Sequence, residues 1–420
     1  MSTRNISINI FWTIVVLLGI DIYVFLILRK SIKGSDWKKY FSIVYFISVV
    51  FGYIGLYFLY TNFVVKPLQA SLIPNLFVGF FFSFLVFKLL LTAFFLFEDI
   101  ARVSKLFFLV VLNYFQDKKR NNNVAGRRKF IRKAGLFIAA IPFTSMIYGI
   151  TKGKYNFKVN QVKLSFTNLP KSFDGYKIVH ISDIHSGSFD NREAIVDGID
   201  LVNRQEADLI LFTGDLVNND SREIVPFIDD FKKIYAPDGV YSILGNHDYG
   251  DYKKWPSEKD KMENMDLLYD YQKQLGFTLL NNENATINRG KEEIGIFGVE
   301  NWGNPPFPQR GDIDKALVGN ENIEFKILMS HDPTHWDKKI LEHPTHFDLT
   351  LAGHTHGMQF GVEIPGFKWS PSKYIYPQWA GLYKKSKQYL YVNRGFGFLG
   401  FPGRVGIWPE ITVIELKRKI

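Results

Sequence analysis

Three long apolar stretches near the amino terminus limit what this chain can fold into more than anything else in it. Ile8–Leu28 is broken only by Asn9 and Asp21, Phe41–Tyr60 holds no charge, and Leu72–Phe97 is apolar apart from Asn75 and Lys88. Roughly 20 such residues cross a hydrocarbon core, where a helix satisfies its own backbone polar groups. Each stretch is therefore read as a transmembrane helix. Ala101–Phe115 is read as an interfacial helix or the second arm of a hairpin. Ala134–Ile150, at about 17 residues, is borderline for a further span. Residues 1–152 become a membrane region of about four spans, and residues 153–420 a separate domain. Asp21 and Lys88 are costly inside spans, so they are either functional or a mutual structural pair.

Charge separates the two halves. A formal net charge of +10 would suit a nucleic-acid partner, but residues 1–150 carry 18 Lys and Arg against 5 Asp and Glu, leaving 33 against 36 for the rest. The excess belongs to membrane loops, where Lys and Arg set orientation, and no nucleic-acid partner is expected. A mean hydropathy of −0.03 looks soluble only because it averages unlike halves. Cysteine is absent, which removes disulfides and thiolate metal ligands.

The basic loops Arg29–Lys39 and Gln116–Lys133 both favour the cytoplasm. Within the second, Arg127-Arg128-Lys129-Phe130-Ile131-Arg132-Lys133 precedes an apolar stretch. It resembles a twin-arginine export signal, or is a plain positively charged stop before a span. Both readings send the last span outward and place everything after Lys152 outside the cytoplasm. Four spans with the amino terminus outside satisfy both loops. The expected setting is a bacterial-type inner or plasma membrane, with the second domain on its non-cytoplasmic side.

From about Tyr155 the pattern changes to short strands. Those predicted are Lys177–Ile181, Asp208–Phe212, Val240–Leu244, Ile294–Val299, Phe325–Met329, Leu349–Leu351, Tyr389–Val392 and Glu410–Glu415. Arg192–Gln205, with Ala194, Ile195, Ile199 and Val202 at helical spacing, and Glu223–Ile234 are predicted helices between the first three. Strand, helix, strand, helix, strand is an α/β layout whose ligands belong at the carboxyl ends of the strands. Five clusters fall there: Asp183-Ile-His185, Gly214-Asp215, Gly245-Asn246-His247-Asp248, His331 and Gly353-His354-Thr355-His356. Carboxylates, an amide and imidazoles without thiolates suit borderline divalent ions such as Mn, Fe, Zn or Co. His180, within a strand and facing away from its neighbours, is read as structural. His335, His343 and His346 are expected at the surface or behind the ligands, and Asp332 and Thr334 behind them.

Taken in order, these clusters closely resemble the calcineurin-like metallophosphoesterases, over roughly Lys177 to Leu416. The segments Tyr391-Val-Asn-Arg-Gly395 and Pro409-Glu-Ile-Thr412 are similar to that family's membrane-associated bacterial branch. The resemblance implies a four-layer α/β/β/α sandwich and two divalent metal ions. Asp183, His185 and His356 would hold one ion, Asn246, His331 and His354 the other, with Asp215 bridging both. It further implies in-line attack on phosphorus by a hydroxide between the ions. His247 would stabilise the phosphoryl group and protonate the leaving oxygen, with Asp248 orienting it or supporting its loop. One departure stands out. Protein Ser/Thr phosphatases of this superfamily follow Gly-Asp with Asp-Arg-Gly, whereas the run here is Gly214-Asp-Leu-Val-Asn-Asn-Asp220. Asn218 therefore replaces the Asp partner of the histidine, which weakens a protein-phosphatase reading.

Between His356 and Arg404 the chain is crowded with aromatics: Phe360, Phe367, Trp369, Tyr374, Tyr376, Trp379, Phe396, Phe398 and Phe401. They are either loop packing or an apolar rim that admits a lipid chain. Arg394, Lys368 and Lys373 are candidates for head-group phosphate on charge alone. The expected function is hydrolysis of a phosphate ester, of a membrane lipid, by a phosphoesterase or phosphodiesterase. The alternatives are a UDP-diacylglucosamine pyrophosphatase of lipid A synthesis, whose nucleotide substrate is cytoplasmic, and a membrane sensor that binds without hydrolysing.

Overall fold

The computed structural model describes residues 3–61, 71–115 and 125–419. These divide into two compact units, one built from the amino-terminal helices and the other beginning at Gly149. The helices are α1 (Thr3–Arg29), α2 (Ser35–Tyr60), α3 (Leu72–Phe115) and α4 (Ala125–Thr151). All four contain a stretch long and apolar enough to cross a membrane: Trp12–Arg29, Ser35–Tyr60, Leu72–Phe108 and Lys133–Thr151. Ala101–Phe115 is neither a separate interfacial helix nor a hairpin arm, because α3 continues through it. Glu98, Asp99, Arg102 and Lys105 interrupt the hydropathy, but no Gly or Pro follows Gly79 to interrupt the helix. Of the second basic loop, residues 116–124 lie outside the described residues, while Arg127–Lys133 belongs to the opening turns of α4.

Inside the membrane unit, Lys88 Nζ sits 2.6 Å from Asp21 Oδ1, and both side chains are buried. Tyr53 donates to Asp21 Oδ2 and Tyr45 to the Asp21 carbonyl, at 3.3 and 3.0 Å. The two intraspan charges are thus each other's partner. Gly55 lets α2 approach α3, since a Cβ there would strike the Phe77 carbonyl and the Phe81 side chain.

The second unit carries two six-stranded sheets. The strands are β1 (Lys158–Phe166), β2 (Lys177–Ile181), β3 (Leu209–Phe212), β4 (Val240–Ser242), β5 (Thr278–Leu279), β6 (Glu283–Arg289), β7 (Glu292–Gly298), β8 (Lys326–Met329), β9 (Leu349–Ala352), β10 (Val362–Ile364), β11 (Phe367–Trp369), β12 (Gly381–Lys385), β13 (Gln388–Val392) and β14 (Glu410–Arg418). One sheet runs β1-β14-β2-β3-β4-β5 and the other β12-β13-β9-β8-β7-β6, with β10 and β11 forming a hairpin apart from both. In the first sheet β2 through β5 are parallel, and in the second β13, β9, β8 and β7 are parallel.

Period-two alternation assigns each face of these strands to a layer. Leu209 and Leu211 of β3 pack between the sheets with Ile327 and Met329 of β8 and Leu349 and Leu351 of β9. Ile210 and Phe212 face the opposite way, onto Ile195, Ile199 and Val202 of α5 (Arg192–Asn203). On the far side, Leu328 and Ala352 meet Ile313, Leu317 and Trp336 of two short helices. The result is the four-layer α/β/β/α sandwich. The predicted helix Glu223–Ile234 is instead a 3-10 segment, Ser221–Phe227, followed by one α turn, Ile228–Phe231. Pro226 accounts for this by removing a helix donor and disfavouring α geometry at Val225.

Candidate metal centre

The five clusters come together at the carboxyl ends of β2, β3, β8 and β9 and in the loop after β4. Asp183, His185 and His356 offer ligand atoms within 4.8 Å of one another, and so do Asp183, Asp215 and His331. Asp215 Oδ2 lies 3.4 Å from His185 Nε2 and 3.2 Å from His331 Nε2, between the two groups. Asn246 Oδ1 faces His354 Nδ1 at 2.8 Å. His185 Nε2 and His356 Nε2 point at each other at 3.0 Å. The seven expected ligand side chains therefore converge on a common space, and the His247 ring borders it, 5.0 Å from that of His185.

The backbone explains how. Asp183, His185, Asp215, His354 and His356 all adopt positive φ, between 48° and 69°, although none is glycine. Such conformations cost about 1–3 kcal/mol each and persist where surrounding structure enforces them, chiefly at functional sites. The glycines of the motifs have separate duties. Gly214 turns at φ 91° directly after β3, and a Cβ at Gly353 would collide with Ser182 Oγ and Asp183 Oδ2. Asp248 is a scaffold, accepting the N–H groups of Asp215, Leu216, Val217 and Gly245.

Hydrogen bonds fix the rings. The Thr213 carbonyl, 2.7 Å from His331 Nδ1, can only accept, so Nδ1 carries the proton and Nε2 faces Asp215. His354 Nε2 pairs with the Tyr376 hydroxyl at 2.8 Å, leaving Nδ1 toward Asn246. Arg404, fully buried, donates from Nη2 to His356 Nδ1 at 3.0 Å. His247 Nδ1 meets the Asn218 carbonyl at 2.7 Å, which makes Nδ1 the donor there as well. The missing Asp partner of His247 is thus replaced by a main-chain oxygen. The Asn218 side chain is engaged with Ser188 instead.

Burial opposes charge throughout, yet it does not always prevail. It would raise the Asp183 and Asp215 carboxyls, but the imidazoles of His356 and His331 hold them well below the usual range. Burial likewise works against a cation at His331, but Asp215 beside it pushes the imidazole up to about 10. At His185 burial wins and the value falls to about 3, leaving a neutral ring. His331 Nε2, 3.2 Å from Asp215 Oδ2 without the geometry of a hydrogen bond, is the orphaned donor atom that a cation would complete. Hard oxygens, imidazoles and a dense pair of carboxylates fit two divalent ions.

Other expected residues lie elsewhere. Arg394 is buried and spent on carboxylates: Nη1 pairs with Glu410 Oε2 at 2.5 Å, and Nη2 and Nε grip Glu363 at 2.6 and 3.0 Å. It is a packing charge, not a phosphate ligand. Lys368 Nζ donates to the Ala380 carbonyl at 2.6 Å. His180 is buried and bonds Thr213 Oγ1 at 2.9 Å. His335 is not at the surface; it is buried, its ring stacked on Trp302 and its Nδ1 bonded to Ser330 Oγ. His343 and His346 pair with Asp314 and Asp348. Asp332 accepts from Thr334 and stands 3.5 Å from His354 Nε2.

Sequence reasoning missed Tyr252, whose hydroxyl accepts from Asn246 Nδ2 at 2.9 Å and whose ring lies 4.7 Å from that of His247. It also missed the roles of Tyr376 and Arg404. Tyr252 sits four residues past the Gly-Asn-His-Asp run, a proximity that could have pointed to it.

Comparison with known proteins bears on the family of each half. The family described as "Calcineurin-like phosphoesterase" matches residues 176–358, and the one described as "Probable Calcineurin-like phosphoesterase, transmembrane domain" matches residues 4–154. A metallophosphoesterase of Bacillus subtilis, YkuE, is 31% identical over 258 residues, covering 59% of this chain and 82% of the relative. The zebrafish protein called transmembrane protein with metallophosphoesterase domain is 29% identical over 282 residues, covering 65% of this chain but only 60% of its own length. Phosphodiesterase YaeI of Escherichia coli is 29% identical over 248 residues, covering 57% of this chain and 82% of the relative. With four apolar helices ahead of a sandwich that gathers this ligand set, the chain belongs to the calcineurin-like metallophosphoesterases and is a membrane-associated enzyme of that family.

Proposed function

We propose that this enzyme hydrolyses a phosphoester of a membrane lipid on the non-cytoplasmic side, with Asp183, His185, Asp215, Asn246, His331, His354 and His356 holding two divalent ions. The observation that carries the hydrolytic part is the convergence of those ligand atoms, with Asp215 Oδ2 within 3.4 Å of imidazoles from both groups. Ions bound there would supply Lewis acidity toward phosphoryl oxygens and a nucleophile from water.

The chain's own groups do the rest. Asp248 clamps four amides and so fixes Asp215 and the His247 loop. The His247 main-chain N–H, 2.9 Å from Asp215 Oδ1, keeps that ring beside the centre. With Nδ1 held by a carbonyl, His247 exchanges its other proton through Nε2, the role of an acid toward a leaving oxygen. The hydroxyls of Tyr252 and Tyr376 stand beside Asn246 and His354, where a phosphoryl group would arrive.

The lipid part is supported by four candidate spans that hold the domain to a bilayer, which raises the effective concentration of lipid esters. The non-cytoplasmic side is supported by the basic residues of Arg29–Lys39 and Arg127–Lys133. The test is hydrolysis by the reconstituted full chain with manganese, on lipid phosphoesters and on a soluble aryl diester. Lipid ester should be cleaved, and Asp215→Asn should lose both activities. Cleavage of the soluble ester alone would remove the lipid reading, and a fully active Asp215→Asn would remove the centre. Reporter fusions after residue 160 check the sidedness.

A further inference from the structure

The hairpin β10–β11 is displayed in a way the ester chemistry does not require. Val362 pairs with Trp369, Glu363 with Lys368, and Ile364 with Phe367, across a turn of Pro365 and Gly366 with Gly366 at φ 79°. Opposed residues share a face, so the ribbon has one face of Glu363 and Lys368 and another of Val362, Ile364, Phe367 and Trp369. The polar face is turned to the domain: Glu363 is gripped by two nitrogens of Arg394, and Lys368 Nζ reaches the Ala380 carbonyl. The apolar face is left open. Ile364 is 58% exposed and Phe367 54%, and the following turn adds Tyr374 at 73% and Ile375 at 62%.

An isolated two-stranded ribbon is marginal by itself. This one is fastened at its base by the Glu363–Arg394 fork, by Gly361 N–H to the Val405 carbonyl at 2.8 Å, and by Ser370 Oγ to the Gly357 carbonyl at 2.6 Å. A rigid base with a bare apolar tip marks a binding element, because soluble surfaces rarely tolerate such a patch.

We propose that this hairpin inserts its tip, Ile364, Pro365 and Phe367, into the head-group and acyl boundary of the bilayer in which the chain is embedded. Three observations select lipid as the occupant. The last candidate span ends at Thr151 and the domain's first element begins at Gly153, so the domain is tethered to the bilayer by a single residue, Lys152. Between residues 357 and 376 the only acid is Glu363, neutralised by Arg394, while Lys373 is exposed beside Tyr374, which suits anionic head groups. Trp369 and Tyr374 are the side chains that membrane interfaces favour. The device also leads to the centre, because Tyr376 follows two residues after Tyr374 and bonds His354. Docking deepens the lipid reading above and rests on it for its purpose.

The test uses the absence of native cysteine. Ile364→Cys, Phe367→Cys and, as a control in an exposed turn, Lys387→Cys are labelled with an environment-sensitive dye in the full chain. Each is reconstituted into vesicles of phosphatidylcholine and phosphatidylglycerol. Dye at 364 and 367 should be quenched several-fold more strongly than at 387 by acyl-chain nitroxide lipids, and less by aqueous iodide. Equal iodide quenching at all three positions would overturn the proposal. Shielding of 364 and 367 from both quenchers would overturn it too, since a protein would then cover the hairpin. Retained cleavage of the soluble diester certifies that each variant is folded. Lipid quenching in a protein that cleaves only soluble esters would uphold docking and retire the substrate.

Discussion

His247 shows what a single residue owes to main-chain atoms that no sequence pattern marks. Its Nδ1 is fixed by the carbonyl of Asn218, while the Asn218 side chain is turned to Ser188. Asn218→Ala should therefore leave kcat within a few-fold, whereas His247→Ala should lower it by about 10²–10⁴, the usual worth of a positioned acid. Steady-state kinetics on the soluble diester separates the two, and an Asn218→Ala loss as large as that of His247→Ala would refute the carbonyl assignment. His331 presents the matching case for protons. In the metal-free centre Asp215 pushes its imidazole up to about 10, so near neutrality the ring holds a proton. A ligating imidazole must be neutral, so cation binding displaces that proton, and affinity rises with pH until about pH 10. The convergence of the seven proposed ligands was legible because each motif is short and follows a strand. Tyr252, Tyr376 and Arg404 were not, because a supporting contact depends on how loops fold back and leaves no spacing behind.

At the scale of elements, the strands that carry the centre could be read from periodicity, as β2 at Lys177–Ile181 and β8 at Lys326–Met329 show. The edge strands β1, β5, β6 and β12 escaped: β5 is only two residues, β6 and β12 bury a single residue each, and the alternation of β1 is confined to Val162, Leu164 and Phe166. Two other misreadings have local causes. Charged residues near Asp99 suggested an end that the α3 backbone does not have, and Pro226 broke a pattern that otherwise looked helical. Arg394 looked like a phosphate ligand because a strand-end arginine and a buried ion-pair arginine are identical in sequence. Its removal by Arg394→Ala would leave Glu410 buried without its cation, a change expected to cost about 3–5 kcal/mol of domain stability. Thermal or denaturant unfolding should show that loss. A substrate ligand would instead raise KM at unchanged stability.

Over the whole molecule, the division of labour was visible in charge and hydropathy alone: a basic, apolar amino-terminal half and a nearly neutral α/β half. Inside the membrane unit the Asp21–Lys88 pair lets each buried charge satisfy the other. In the catalytic unit, five of the proposed ligands, Asp215 and four residues around it, combine left-handed backbone with buried polar side chains. That combination makes sense only if cations compensate it. Calorimetric titration of the metal-free full chain with manganese, repeated in buffers of different ionisation enthalpy near neutral pH, measures this directly. Two ions per chain should bind with net proton release, and Asp215→Asn should lose high-affinity uptake. One ion or none, or uptake that moves no protons, would contradict the account.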